Sequence, residues 1–511
     1  MTEQLFVPPA TAKGRIRRKR KWISLVTAVL ILAAGLGWAV YKVSHTCGWL
    51  GSGVYRVGGE CVGVTDGSYL FDPAFEQVQR KIAAENAWVR TQPAYVTVAL
   101  LNPLTATSTS ALSTEEILEQ LEGAYAAQYQ ANHTSAVGDS GGPPIQLVLA
   151  NEGSTEDQWQ PVVEQLVEMA DQEDNPLVAV AGMGLSIAQT KQGALELSRH
   201  NIPMVGAIIA ADGFDHNQIP GLIRVSPTSQ DYAKSLRGHL NSRNDLRSAI
   251  LVSDSNSDSN SDSNSDIFTR TLRDALRENM GDLIKFPDQI FTGGGFSTNA
   301  SPGMFATITP NICAAAAQGL EVILYAGRRG DFDGFLAALE NRVCQNTPLT
   351  VMTAGIKYDV LTGREQQLRA KNLAVVFSGR TDARGWGLNV PGTPEGYPAF
   401  LQAFTEAEFN LGHLEDDRAI LTHDAVLTAA KAVRLAAPGA SPPGAPVASD
   451  VVGQLLNLNS LNSVPGAGGT LSFSFRGQGA GNPQGKPVLV FEFPSSTPSL
   501  PQQVGPIYLT P

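Results

Sequence analysis

The stretch LVAVAGMGLSIAQTKQGALELSRHNIPMVGAII, residues 177–209, decides the fold. LVAVAG (177–182) is a continuous apolar run of strand length. SIAQTKQGALELSRH (186–200) has helical patterning. IPMVGAII (202–209) is a second apolar run. Strands that are apolar throughout, alternating with helices, predict parallel sheets covered on both faces.

The rhythm extends both ways. Upstream lie YVTVALL (95–101), a helical stretch STEEILEQLEGAYAAQYQ capped by Ser113 or Thr114, the strand IQLVLA (145–150) and the helix WQPVVEQLVEMADQ. Downstream, SAILVSD (248–254), DLIKFPDQIF (282–291), EVILYAG (321–327), LTVMTAG (349–355) and LAVVFSG (373–379) read as strands with helices between them. GTLSFSFRG and PVLVFEFP read as closing strands. One series precedes about residue 225 and one follows it, which predicts two α/β lobes.

The chain has 511 residues, 43% hydrophobic and 17% charged, enough for two or three compact lobes. Net charge is −11, although residues 13–21, KGRIRRKRK, are strongly basic. The remainder is therefore more acidic than the total, which argues against nucleic-acid binding.

Trp22 to Tyr41, WISLVTAVLILAAGLGWAVY, carries no charge over 20 residues. A helix of that length spans the roughly 30 Å core of a bilayer. Trp22, Trp38 and Tyr41 flank it as interfacial aromatics, and Lys42 can snorkel. A cleaved signal peptide has a shorter apolar core and a small-x-small site. A lipoprotein needs a small apolar lead-in, which the SHT before Cys47 does not supply. The expectation is an uncleaved transmembrane anchor with a cytoplasmic N-terminus and an extracytoplasmic body. Cys47, Cys61, Cys313 and Cys344 all fall on the outer side, where an even count predicts two bridges. Proximity favours Cys47–Cys61 and Cys313–Cys344, one of three connectivities. No CxxC is present and the histidines are scattered, so no metal site is expected.

Two stretches invite catalytic or metal readings. GDSGGP (138–143) matches the nucleophile loop of chymotrypsin-like proteases. That family requires antiparallel barrels and the chain order His, Asp, Ser. His45 and His133 do not provide its histidine setting, and parallel α/β follows Ser140. The motif therefore reads as a helix-to-strand loop. SDSNSDSNSDSNSD (253–266) spaces oxygen ligands as an EF-hand does but has neither its glycine nor its closing glutamate. It reads as a low-complexity surface loop, with a weak calcium site as the alternative.

GLIRVSPTSQDYAKSLRGHL (221–240) resembles the crossing segment of type I periplasmic binding proteins, specifically the branched-chain amino-acid (Leu/Ile/Val) receptor family. EVILYAGRRGDFDGFLAAL resembles a later strand–loop–helix unit of that family. LTHDAVLTAAKAVRLA (421–436) resembles its Tyr-Asp-Ala helix with His423 at the tyrosine, and GTLSFSFRGQG its closing strand. The resemblance runs from about Tyr95 to about Phe493. It implies two Rossmann-like lobes joined by three crossings, with a ligand in the cleft.

The expected domain organisation follows. A basic arm (1–21) and anchor (22–43) precede a juxtamembrane Gly/Cys segment (44–93). The body spans 94–500, with one lobe at about 94–224 and 385–450 and the other at about 225–384 and 451–500. Residues 501–511 form a tail.

The resemblance also implies a ligand site. Ser186, in GMGLSIAQ, matches the family's hydroxyl to the ligand carboxylate. Ile209, Ala210, Ala211 and Asp212 match main-chain contacts, without the family's threonine. The family's acidic residue for the ligand ammonium has no counterpart after VMTAG, which puts amino-acid specificity in doubt. Asp254 is a possible substitute charge. Arg328 and Arg329 can fork onto a carboxylate or phosphate, or form a solvated pair. Tyr232 stacks on a ligand or belongs to the core.

The expected function is solute binding by hinge closure, without enzymatic activity or cofactor. The ligand is an amino acid or other small carboxylate, and the partner an ABC permease or membrane sensor. The alternative is a ligand-independent interaction module on a degenerate pocket.

Overall fold

The computed structural model describes residues 52–511 except 109, 111, 139–141, 258–265, 295–301, 357–359, 440–445, 475–476, 478 and 496–501. Before residue 52 it describes only 26, 27, 29, 30, 47 and 48. The proposed anchor therefore lies almost wholly outside the described residues. Among those described, no helix is long and apolar enough to cross a membrane.

The first sheet contains β1 (Val54–Val57), β2 (Glu60–Thr65), β3 (Val96–Asn102), β4 (Ile145–Asn151), β5 (Leu177–Gly182), β6 (Met204–Gly206) and β7 (Leu222–Arg224), in the order β1-β2-β4-β3-β5-β6-β7. From β4 to β7 every pairing is parallel. Every residue of β3 and of β5 is buried, because helices cover both faces.

The second sheet contains β8 (Ala249–Asp254), β9 (Gln289–Phe291), β10 (Val322–Ala326), β11 (Leu349–Ala354) and β12 (Leu373–Gly379), all parallel. A hairpin of β13 (Val464–Gly466) and β14 (Gly469–Leu471) stands apart. β15 (Pro487–Phe493) then adds antiparallel to β12 and takes β16 (Gln502–Gln503) and β17 (Tyr508–Leu509) on its other side.

Three boundaries differ from expectation. Residues 54–65 do not stand apart as a spacer; β2 pairs with β4 and extends the first sheet. Helix Glu76–Val89 packs on that lobe too. The short alternation in VYRV and ECVGVT gave no core signal, since an edge hairpin buries one face. The helix Ala448–Leu455 and the β13/β14 hairpin pack on helix Arg418–Ala436 in the first lobe, so the second lobe resumes only at β15. The final residues supply β16 and β17 instead of a free tail. Both disulfides pair as proximity suggested: Cys47–Cys61 and Cys313–Cys344.

The lobes are joined at 225–228, at 380–382 and through the described residues of 472–486. The third segment runs against the end of β7 and the loop before it, through Arg224 N to Gly481 O at 3.0 Å and His216 N to Ala480 O at 2.8 Å. Buried Arg224 donates from Nε to Asn482 Oδ1 at 2.7 Å and from Nη1 to Ala211 O. On the first-lobe side, buried Asp424 accepts from Ala467 N and Gly468 N at 2.6 and 2.9 Å. Its neighbour His423 bridges Asp424 and Gln130 at 3.0 Å each, so this residue is an internal brace.

Candidate functional site: the interlobe cleft

Helix N-termini and strand C-termini from both lobes converge between the sheets. The loop after β5 is braced from below. Glu156, buried, accepts from Leu185 N at 2.9 Å and from Thr190 Oγ1 at 2.5 Å. Burial raises its carboxyl and that of adjacent Glu152 above the ordinary glutamate range; the charge of Glu156 adds to the rise at Glu152.

On that loop, Ser186 is 3% exposed and its Oγ accepts from Ala210 N and Ala211 N at 3.0 and 3.2 Å. Ser186 thus satisfies the amides that the resemblance assigned to a ligand. Ala210 O in turn accepts from Ser229 N at 2.8 Å.

One cavity, of about 70 Å³, is lined by Leu185, Ser186, Ile208 and Ala210, by Tyr232 and Phe268, and by Arg328, Gly355, Arg380 and Arg418. Of the residues singled out from sequence, Ser186, Ala210, Tyr232 and Arg328 meet here. Ile209 is fully buried beside them without lining the cavity. Ala211 is turned toward Arg224.

Asp212 lies elsewhere. It lines a cavity of about 330 Å³ between the first and third crossings, with Asp215, Arg224, Asp231 and Lys234. Burial pushes its carboxyl up to about 6. Asp254 caps the end of β8 away from the cavity, accepting from Gly293 N at 2.9 Å and Asn256 N at 3.0 Å. Asp331 faces it, pushed up to about 6 by burial. A Cβ at Gly293 would sit 2.3 Å from Asp254 Oδ2 and 2.6 Å from Asp331 Oδ2, so a larger residue there would have to displace those carboxyl ends. Arg329 reaches across to the other lobe and ion-pairs with Glu116. The region around the Ser-Asp-Asn repeat is described only at its two ends. Among the described residues, no group of three or more His, Cys, Asp or Glu side chains is placed to hold a metal ion.

The cavity's cations are fixed by carboxylates. Arg328 grips Asp266 with two bonds, 2.6 and 2.8 Å, and its guanidinium lies 5.4 Å from the ring centroid of Phe268. Arg380 grips Asp417 at 2.5 and 2.7 Å. Arg418 bonds both oxygens of Asp416 at 2.9 and 3.0 Å and lies 2.8 Å from Glu116. Arg380, Arg418 and Phe268 were not foreseen. The signal for Arg380 was a cation directly after the buried run LAVVFSG; for Arg418, a charged cluster, EDDR, opening a long apolar helix.

The lobes also touch directly. Phe268 N donates to Ser186 O at 3.2 Å, and Ile187 pairs with Asp266 as an isolated antiparallel bridge. Glu116 joins Arg418 of its own lobe to Arg329 of the other. The cleft is drawn shut, which explains a cavity below the roughly 300–1,000 Å³ of small-molecule sites.

No protein-family description matches the chain, and no curated protein matches it. Solved structures do. An ABC transporter substrate-binding protein from Desulfitobacterium hafniense, in complex with Leu, is 13% identical with a TM-score of 0.55, over 80% of this chain and 100% of that one. A branched-chain amino-acid ABC transporter protein from Thermus thermophilus with bound valine is 12% identical, TM-score 0.56, over 82% and 97%. A solute-binding protein of an ABC transporter from R. palustris, in complex with 4-hydroxybenzoate, is 14% identical, TM-score 0.56, over 82% and 98%. These neighbours are type I periplasmic binding proteins, and at such identities the likeness establishes the shared two-lobe fold alone.

Proposed function

We propose that this chain is a membrane-anchored extracytoplasmic solute-binding protein that closes its lobes on an amino acid or similar small polar ligand. The observation that carries the reading is a cavity lined from both lobes by apolar side chains and a few converging polar ones. Binding energy shared between the lobes favours the closed state. The fold neighbours, transporter proteins solved with Leu, valine or 4-hydroxybenzoate, support the same reading. Residues 22–43 would hold the body at the bilayer surface, where an ABC permease or a membrane sensor would receive the solute or the signal. No catalytic role is proposed.

A thermal-shift screen of the full-length protein in detergent, against amino acids, small carboxylates, amides and phosphates, tests this. A ligand that binds only the native state stabilises it by about 2.7 kcal/mol at a hundredfold excess over Kd. A saturable rise in Tm with one chemical class is expected. A flat response across the panel by a cooperatively melting protein would reject solute binding.

A second reading, a ligand-independent interaction module, draws support from two observations. The chain's own contacts hold the lobes together, and Ser186 already serves Ala210 and Ala211. A flat response would favour it.

A further inference from the structure

Two buried donors in the cleft have no hydrogen-bond partner among the described residues: Tyr232 Oη and Arg418 Nε. Both residues line the same cavity. Tyr232 is 1% exposed and sits in the first turn of helix Ser229–Asn241, set by a capping box between Thr228 and Asp231. Its carbonyl accepts a hydrogen bond from Ser378 Oγ at 3.0 Å, which ties it to the end of β12. Burial lifts the phenol well above its ordinary range, so it stays a neutral donor. A buried donor left unmatched costs about 1–3 kcal/mol, so two in one cavity call for an acceptor.

The lining specifies which acceptor. Three arginines, Arg328, Arg380 and Arg418, line this cavity, and among the described residues no carboxylate does. Asp416 and Asp417 line a second cavity, which shares Gly355, Arg380 and Arg418 with the first. An ammonium group in the first cavity would find no carboxylate in its lining, since Asp266, Asp416 and Asp417 are engaged by Arg328, Arg418 and Arg380. Leu185, Ile208 and Phe268 complete the wall and suit an apolar body.

Building on the solute-binding reading, we propose that the ligand is a small apolar carboxylate without an ammonium group, its oxyanion seated on Tyr232 Oη and Arg418 Nε. Charge-assisted donation from a guanidinium and a desolvated phenol is the strong form of such a contact.

Titration calorimetry on the full-length protein in detergent tests it with two matched pairs: 4-methylpentanoate against leucine, and 3-phenylpropanoate against phenylalanine. Each pair differs only in the ammonium. At least one carboxylate is expected to bind tenfold or more tightly than its amino acid. Tyr232→Phe removes only the unmatched hydroxyl. It is expected to weaken that carboxylate by roughly tenfold to a hundredfold, with the Tm of the ligand-free protein unchanged or raised. Tighter binding of an amino acid would overturn the ligand class while leaving solute binding intact. Carboxylate binding unmoved by Tyr232→Phe would overturn the seat. Absence of binding by all four would overturn the proposal, and failure of the broader screen as well would remove the solute-binding reading beneath it.

Discussion

Ser186 illustrates how far a single residue could be read. Its place in the loop after a buried parallel strand was legible, because strand ends in such sheets converge on a cleft. Its role was not, since the partner amides lie 24 and 25 residues away. Ser186→Ala leaves both amides without their acceptor and should destabilise the protein by about 1–3 kcal/mol in denaturant unfolding, even in the absence of ligand. An unchanged midpoint and slope would show that the hydroxyl is not structural. Arg328 and Arg329 show the same limit. They are adjacent in sequence, yet one lines the cavity and the other crosses to Glu116. A helix start turns neighbouring side chains in different directions, so no local pattern separates their roles. Arg380 and Arg418 escaped notice because the lining of one cavity draws them from the second crossing and the start of a later helix.

At the scale of elements, long buried strands were the most legible part of the molecule. β3, β4, β5, β8, β10, β11 and β12 fall within the apolar runs or one residue beyond them. Edge elements were less so, because a strand that buries one face or pairs for only three residues leaves a weak pattern. From the run 282–291 only Gln289–Phe291 becomes strand. Helix pairing left still less trace. Thr114–His133 and Arg418–Ala436 cross so closely at Gly123 that an added Cβ would lie 2.0 Å from Ala419 O. In isolation, alanine favours a helix over glycine by about 1 kcal/mol. Here the backbones would have to separate. Gly123→Ala should therefore destabilise the first lobe by about 1–3 kcal/mol net, read as a lowered denaturation midpoint. A stabilised variant would mean that the helices do not meet at that distance.

At the scale of the whole molecule, closure depends on a few contacts across the cleft. Arg329–Glu116 is one of them, and the partially exposed arginine makes it modest in energy. Arg329→Gln should therefore change folding stability by less than about 1 kcal/mol while shifting the population toward open lobes. Small-angle scattering would register this as a larger radius of gyration; an unchanged radius would assign closure to the Phe268–Ser186 and Ile187–Asp266 contacts. The sequence by itself determined the α/β class, the division near residue 225 and the alternation that makes the sheets parallel. Those follow from local periodicity, and local periodicity is encoded residue by residue. Proximity also favoured both disulfides. Only the tertiary structure decided which donors remain unmatched, which arginines share one cavity and which carboxylates hold them. Those depend on distances between segments hundreds of residues apart, such as Glu116 and Arg418 at 2.8 Å, and no spacing along the chain carries that information.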